Sequence, residues 1–344
     1  MKDIVPLILD WYEKNKKSLP WRHDPTPYEV WVSEIMLQQT RIEAVIPYYR
    51  RFLCEYPTVE ALAAADDDRL MKLWEGLGYY SRARNLKKAA EIIVKEYGGR
   101  LPRRAAELRG LPGIGEYTAG AVASIAFGEP EPAVDGNVLR VLSRVEASAA
   151  DIALAVTKRA AAEKLRALYP TGRDAARLTE GLMELGESVC IPNGEPRCGE
   201  CPLRTCCRAY LTDTVSLYPV KSAKKPRRAE ERTVLLLCDG GRYGIRKREE
   251  GGLLGGLWEF PNLPGHLTER EAASAASELG FCCESIRPLG EAKHIFTHVE
   301  WRMIGYELTG CGKGCPMTFA DGHSVRRDYA LPAAFRFYAE LMGE

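Results

Sequence analysis

The sequence predicts two folded parts: a mainly α-helical one, then a smaller α+β one. Three observations lead there. The chain has 344 residues, more than the roughly 100–200 of a typical single domain. Residues 1–210 read as apolar-periodic, helix-length segments, whereas the remainder alternates like strands. Between the two textures, "VKSAKKPRR" (220–228) gathers Lys221, Lys224, Lys225, Arg227 and Arg228 around Pro226, as suits an exposed linker or a plain solvated connector.

The elements follow in order. Ile4, Ile8, Trp11 and Tyr12 share one helical face, and "PYEVWVSEIMLQQ", "SRARNLKKAAEIIVKEYGG" and "DAARLTEGLMELGESV" are further helices. Breaks such as "YPTVE", "GLGYY" and "LPGIG" separate most of these segments. Beyond the linker, "RTVLLLC", "YGIRKR" and "HVEWRMIGYEL" read as strands, with Val299, Trp301 and Met303 in alternation. "TEREAASAASELG" and "LPAAFRFYAELM" read as helices packed on them.

A net charge of +1 leaves nucleic acid neither announced nor excluded. No apolar run reaches the roughly 20 residues of a membrane span. The start carries Asp3 and Asp10 and lacks a small-residue cleavage site, so no signal peptide and a cytoplasmic location are expected. Eleven cysteines then read as thiols or metal ligands rather than disulfides.

Four stretches carry chemistry. In "LPGIGEYTAGAVASIAFG" (111–128), Gly113 and Gly115 shape a tight turn before a helix. It is either a structural αα-hairpin turn or a place where backbone N–H groups meet a phosphate. "CIPNGEPRCGECPLRTCC" (190–207) spaces Cys190, Cys198, Cys201 and Cys207 as C-x7-C-x2-C-x5-C. This favours one metal centre, zinc or iron–sulfur. In "PAVDGNVLRVLSR" (132–144), Asp135 precedes a helix, as an N-cap would. In "VWVSEIMLQQTR" (30–41), Glu34 stands among Val30, Trp31, Ile35 and Leu37. It is either on a solvent edge or a buried carboxyl whose raised pKa suits a general acid.

Taken in order, these stretches resemble the helix-hairpin-helix DNA glycosylases, and within them the MutY-type adenine DNA glycosylases. "LPWRHDPTPYEVWVSEIMLQQTR", "LWEGLGYYSRARNL", "LPGIGEYTAGA", "DGNVLRVLSR", "LLGGLWEFP" and "HIFTHVEW" match in sequence along essentially the whole chain. The resemblance implies a helical glycosylase domain over 1–218, with the hairpin near 107–127 and an iron–sulfur loop over 190–207. A linker over 219–231 and a Nudix-like 8-oxoguanine recognition domain over 232–344 would follow. It implies an intracellular monomer acting on double-stranded DNA, removing adenine mispaired with 8-oxoguanine or guanine by base flipping and N-glycosidic hydrolysis. In endonuclease III-type relatives a Schiff-base lysine follows the hairpin turn; Tyr117 stands there, so a monofunctional glycosylase is expected.

By the same resemblance, Glu34 protonates the adenine, Asp135 stabilises the oxocarbenium-like sugar, and Tyr117 and Asn137 hold this constellation and its water. Trp21, Arg22 and Glu180 line the adenine pocket, Gln39 and Tyr79 enter the duplex, and Gly113 and Gly115 anchor its backbone. Cys190, Cys198, Cys201 and Cys207 hold one [4Fe–4S] cluster bracing a basic loop that includes Arg197 and Arg204. The family spacing has six residues in the first gap where this chain has seven, and Cys206 competes with Cys207 as fourth ligand. Phe296, Thr297 and His298 match the loop that reads 8-oxoguanine. Cys282, Cys283, Cys311 and Cys315 leave a second metal site open. A Nudix hydrolase would need R-E-x-x-E-E-x-G; aligned on Gly280, only the carboxylate of Glu278 remains, which disfavours nucleotide hydrolysis.

Overall fold

The computed structural model describes residues 4–223 and 226–343, so Asp3, Lys224 and Lys225 lie outside the described residues. The chain divides into two units, Met1–Ala64 with Arg84–Ala223, and Ala65–Ala83 with Lys224–Glu344. The resemblance implies an unbroken first domain to residue 218. Residues 65–83 depart from it because their polar groups find partners in the second unit. Lys72 Nζ donates to the carbonyls of Arg326 (2.6 Å) and Tyr329 (3.0 Å), and Leu331 N donates to Glu75 Oε1 (3.2 Å). Asp68 pairs with Lys247 at 2.6 Å.

In the first unit, the helix Arg173–Ser188 packs against Ile4–Asn15, Glu116–Phe127 and Gly136–Glu146. Leu178, Leu182 and Leu185 point into a core shared with Ile4, Ile8, Val138, Val141 and Leu142. The helix Pro27–Leu37 begins at a capping box, in which Thr26 and Glu29 satisfy each other's backbone N–H, with Pro27 at the first turn. It is buried all round from Val30 to Met36, which marks an interior helix rather than an amphipathic one. Glu116–Phe127 is also interior, from Thr118 through Ser124.

In the second unit, seven strands form one mixed sheet: β1 (Arg228–Asp239), β2 (Arg242–Lys247), β3 (Trp258–Glu259), β4 (Asn262–Pro264), β5 (Cys282–Ile295), β6 (Val299–Cys311) and β7 (Thr318–Asp321). The order is β3-β2-β1-β6-β5, with β4 beside β1 and β7 beside β2; β1 and β6 run parallel and the other pairs antiparallel. Strand β1 thus begins inside the expected linker. Its successive side chains enter opposite cores. Val234 and Leu236 join Trp301, Met303, Phe335 and Tyr338, while Leu235 and Leu237 join Ala272, Ala276 and Phe281. The helix Glu269–Glu278 covers the latter face. The expected C-terminal helix is broken: Ala333–Phe335 is a 3-10 turn and Arg336–Glu340 a short α-helix.

Candidate active site and cysteine loop

The first unit holds an open cavity of about 180 Å³, more than ten times the roughly 10–15 Å³ that holds one water. Trp21, Arg22, Glu34, Tyr117, Asp135, Asn137 and Glu180 all line it, beside apolar Leu19, Val30, Leu37, Ile42 and Ile125. The structure therefore brings together seven sequence-selected residues from five stretches of chain. The helix Arg173–Ser188 contributes Glu180, Met183, Glu184 and Glu187, spaced for one face opposite its core leucines.

Glu34 is only 6% exposed, so the solvent-edge alternative is set aside. Burial pushes its carboxyl up to about 7, reinforced by the nearby charges of Glu180 and Asp135 and opposed by a hydrogen bond from Tyr117. That bond runs from Tyr117 Oη to Glu34 Oε2 at 2.8 Å. The hydroxyl also lies 3.6 Å from Met183 Sδ, and burial holds the phenol protonated.

Asp135 is the N-cap of the helix Gly136–Glu146, with Oδ1 accepting from Val138 N at 2.7 Å and Oδ2 from Asn137 Nδ2 at 2.9 Å. Asp135 thus caps the helix and faces the cavity. Burial raises its pKa, while those two donors and Arg140 oppose the rise. Two donors and a helix N-terminus favour its ionised form over that of Glu34, which accepts one hydroxyl.

Sequence reasoning missed Arg140, which is buried. It donates to Asn137 Oδ1, Gly186 O and Cys190 O, each at 2.7 Å. A continuous chain of hydrogen bonds therefore joins Asp135, Asn137, Arg140 and the start of the cysteine loop. The available signal was a pair of arginines, Arg140 and Arg144, one turn apart on a helix rich in Val and Leu. Gly186 permits the approach, since a Cβ there would lie 2.6 Å from that of Asn137. Tyr12, read above only as apolar face, donates to Glu180 Oε2 at 2.6 Å. Arg22 donates to Glu184 Oε2 at 2.5 Å, and its Nε lies 3.4 Å from Glu180 Oε1. Burial raises the pKa of Glu180 while Arg22 and Tyr12 oppose the rise. Trp21 lines the cavity while packing edge-to-face on Tyr49, centroids 5.3 Å apart.

The hairpin turn leads into the helix Glu116–Phe127. Gly113 has φ +77°, and a Cβ there would sit 2.7 Å from that of Asn85, so both conformation and packing demand glycine. A Cβ at Gly115 would meet nothing within 4 Å, and no side chain caps this helix start. The turn therefore leaves room before the first N–H groups, as an incoming anion requires. Gln39 (φ +57°) and Tyr79 (φ +48°) are two of six non-glycine residues with positive φ among the described residues. Such strain is characteristic of functional positions. In the second unit, Tyr79 Oη lies 2.9 Å from Thr297 Oγ1. Thr297 and His298 are exposed, whereas the Phe296 ring packs on His294 and Trp301, centroids 4.6 and 4.9 Å away. Phe296 N also closes the turn onto Val299 O at 2.8 Å. This inward packing leaves Thr297 and His298, rather than the Phe296 ring, on the outer surface of the turn.

Cys190, Cys198, Cys201 and Cys207 line one cavity of about 20 Å³. Cys206 is not part of that lining, and its thiol donates to Leu203 O at 3.4 Å. The extra residue of the first gap lies in a loop closed by Arg197 N on Val189 O (3.0 Å). Arg144 Nη1 lies 3.3 Å from Cys190 Sγ, and burial pushes Cys201 up to about 12. Among the described residues, no three Cys, His, Asp or Glu side chains converge on the position of a single metal ion. Four thiols lining one cavity are a candidate donor set for a metal centre. Of Cys282, Cys283, Cys311 and Cys315 likewise, no three side chains converge on a single metal position among the described residues. No helix among the described residues is long and apolar enough to cross a membrane.

A family model described as HhH-GPD superfamily base excision DNA repair protein matches residues 32–170, and a NUDIX domain model matches residues 232–341. The chain is 36% identical to the adenine DNA glycosylase of Mus musculus, across 88% of this chain and 69% of that one. It is 36% identical to that of Homo sapiens, across 96% and 73% respectively. Among solved structures, a non-covalent endonuclease III–DNA complex superposes with a TM-score of 0.52 at 25% identity, covering 62% of this chain and 98% of that one.

Proposed function

Because the chain belongs to the adenine DNA glycosylase family, enzymes of base-excision repair that hydrolyse N-glycosyl bonds, we propose that it excises adenine mispaired with 8-oxoguanine or guanine from duplex DNA and leaves the backbone intact. The observation that carries this is one cavity holding two carboxyls in unlike environments: Glu34, buried and held near 7, and Asp135, capped by two donors at a helix start. Paired carboxyls tuned apart in this way suit acid-assisted departure of a leaving group with charge stabilisation of the sugar.

Protonated Glu34 donates to the flipped adenine at N7, turning a poor leaving group into a good one. As the bond breaks, the Asp135 carboxylate faces the positive charge developing on the sugar. Asn137 fixes the Asp135 carboxylate, and Tyr117 orients the Glu34 carboxyl. Arg22 and Glu180 meet the polar edge of the base while Trp21 bounds its face. Gln39 enters the duplex, and so does Tyr79; flipping the adenine costs least at a mispair. The hairpin at Gly113 and Gly115 takes a phosphate. Thr297, beside Tyr79, reads the opposite base.

Cys190, Cys198, Cys201 and Cys207 would hold one [4Fe–4S] cluster. When bound, it supplies a rigid crosslink for the loop whose exposed Arg197 and Arg204 meet phosphates. Tyr117 offers no amine for a Schiff base, which supports hydrolysis without strand cleavage. The test is base release from a duplex carrying adenine opposite 8-oxoguanine, analysed with and without alkali. Strand breaks that need alkali support the proposal; breaks of equal extent without alkali overturn the monofunctional reading, and no release at all overturns the activity.

A further inference from the structure

Strands β5 and β6 pair antiparallel with Cys282 directly opposite Cys311. Residues directly opposite in such a ladder have Cα atoms about 4.5 or 5.5 Å apart and point to the same face. Both spacings fall within the roughly 4.4–6.8 Å that a disulfide spans. Both thiols are free and both residues exposed, and β5 is the edge strand of the sheet. The strands also close tightly here: a Cβ at Gly310, the residue before Cys311, would fall 1.9 Å from Cys282 O. Cys283 and Cys315 pack into the apolar face beside Phe281 and Leu308.

We propose that Cys282 and Cys311 form a reversible cross-strand disulfide when the protein meets a low-molecular-weight disulfide oxidant. One cysteine thiolate attacks a sulfur of that oxidant, whose S–S bond breaks and releases one small thiol, leaving a mixed disulfide. The facing thiolate then attacks the cysteine sulfur of the mixed disulfide and releases the second small thiol. Two electrons pass from the cysteine pair to the oxidant, and the two cysteine protons end on the released thiols. The bond ties the open end of the hairpin whose other end is the turn 296–298.

The experiment incubates the iron-loaded full chain anaerobically with glutathione disulfide and maps peptides by mass spectrometry under non-reducing conditions. The expected result is one linked peptide pair joining Cys282 to Cys311, lighter by two hydrogens and lost on adding dithiothreitol. Exposed Cys54 reports that oxidant has reached the protein. In Cys282→Ser the link disappears and Cys311 instead carries glutathione, which shows a folded and reactive thiol. Glutathione left on Cys282 or Cys311 of the wild-type chain, or free thiols at both once Cys54 is fully modified, would overturn the proposal. These readouts are chemical and stand apart from whether the turn reads 8-oxoguanine.

Discussion

Replacing Glu34 by glutamine should stabilise the protein at alkaline pH while removing its proton donor. The carboxyl rises from 4.5 to about 7 on folding. At 1.36 kcal/mol per unit, this corresponds to roughly 3 kcal/mol. The sign follows from linkage. A carboxyl with a raised folded pKa binds its proton more tightly in the native state. Its contribution is fully present below about 4.5 and is lost as pH rises to about 7. Above that, the wild-type protein carries the whole cost of a buried carboxylate. Glutamine keeps the shape and still accepts the Tyr117 hydroxyl, now at 2.8 Å from Glu34, but it does not titrate. Unfolding in urea followed at pH 5 and pH 8 should show Glu34→Gln gaining on wild type by about 2–3 kcal/mol between the two conditions. A difference between the proteins that does not change with pH would refute the burial argument.

Other outcomes follow from the same geometry. Tyr117→Phe removes the hydrogen bond that lowers the Glu34 pKa. The alkaline limb of single-turnover excision should therefore move up by about one pH unit, as loss of roughly 1–1.5 kcal/mol implies; an unmoved or lowered limb contradicts this. Asn137→Ala strips Asp135 Oδ2 of its donor and Arg140 of an acceptor. Thermal unfolding should register a loss of about 1–3 kcal/mol, with excision slowed on top. Cys207→Ser should reduce iron content and Cys206→Ser should not, since only Cys207 lines the cavity; iron assay with the reverse result would move the fourth ligand. Thr297→Ala should cost about tenfold in excision opposite 8-oxoguanine and much less opposite guanine, as loss of one specific contact implies. Equal losses on both duplexes would assign the turn a general affinity role.

Much of this was legible in the sequence because local rules act over a few residues. The apolar run around Glu34, the glycine turn and the cysteine spacing each carry their physics in their own segment. What periodicity does not carry is which face meets which partner. Glu34 could have sat on a solvent edge until the helices around it closed on every side. Nothing in "DDRLMKLW" announces that Lys72 finds carbonyls more than 250 positions away. Arg140 looked like one more helical arginine, and its three acceptors come from a helix start, a helix end and a loop that only tertiary packing brings together. The broken C-terminal helix has the same origin. Phe335 and Tyr338 each serve the sheet core, and the chain bends to deliver both.

The measurement closest to the central claim is single-turnover excision of adenine opposite 8-oxoguanine by wild-type protein and Glu34→Gln, with duplex binding measured alongside. If the buried carboxyl is the acid, the substitution lowers the rate by at least ~10²–10⁴-fold while the duplex binds with unchanged affinity. A near-normal rate in the glutamine variant would contradict the assignment.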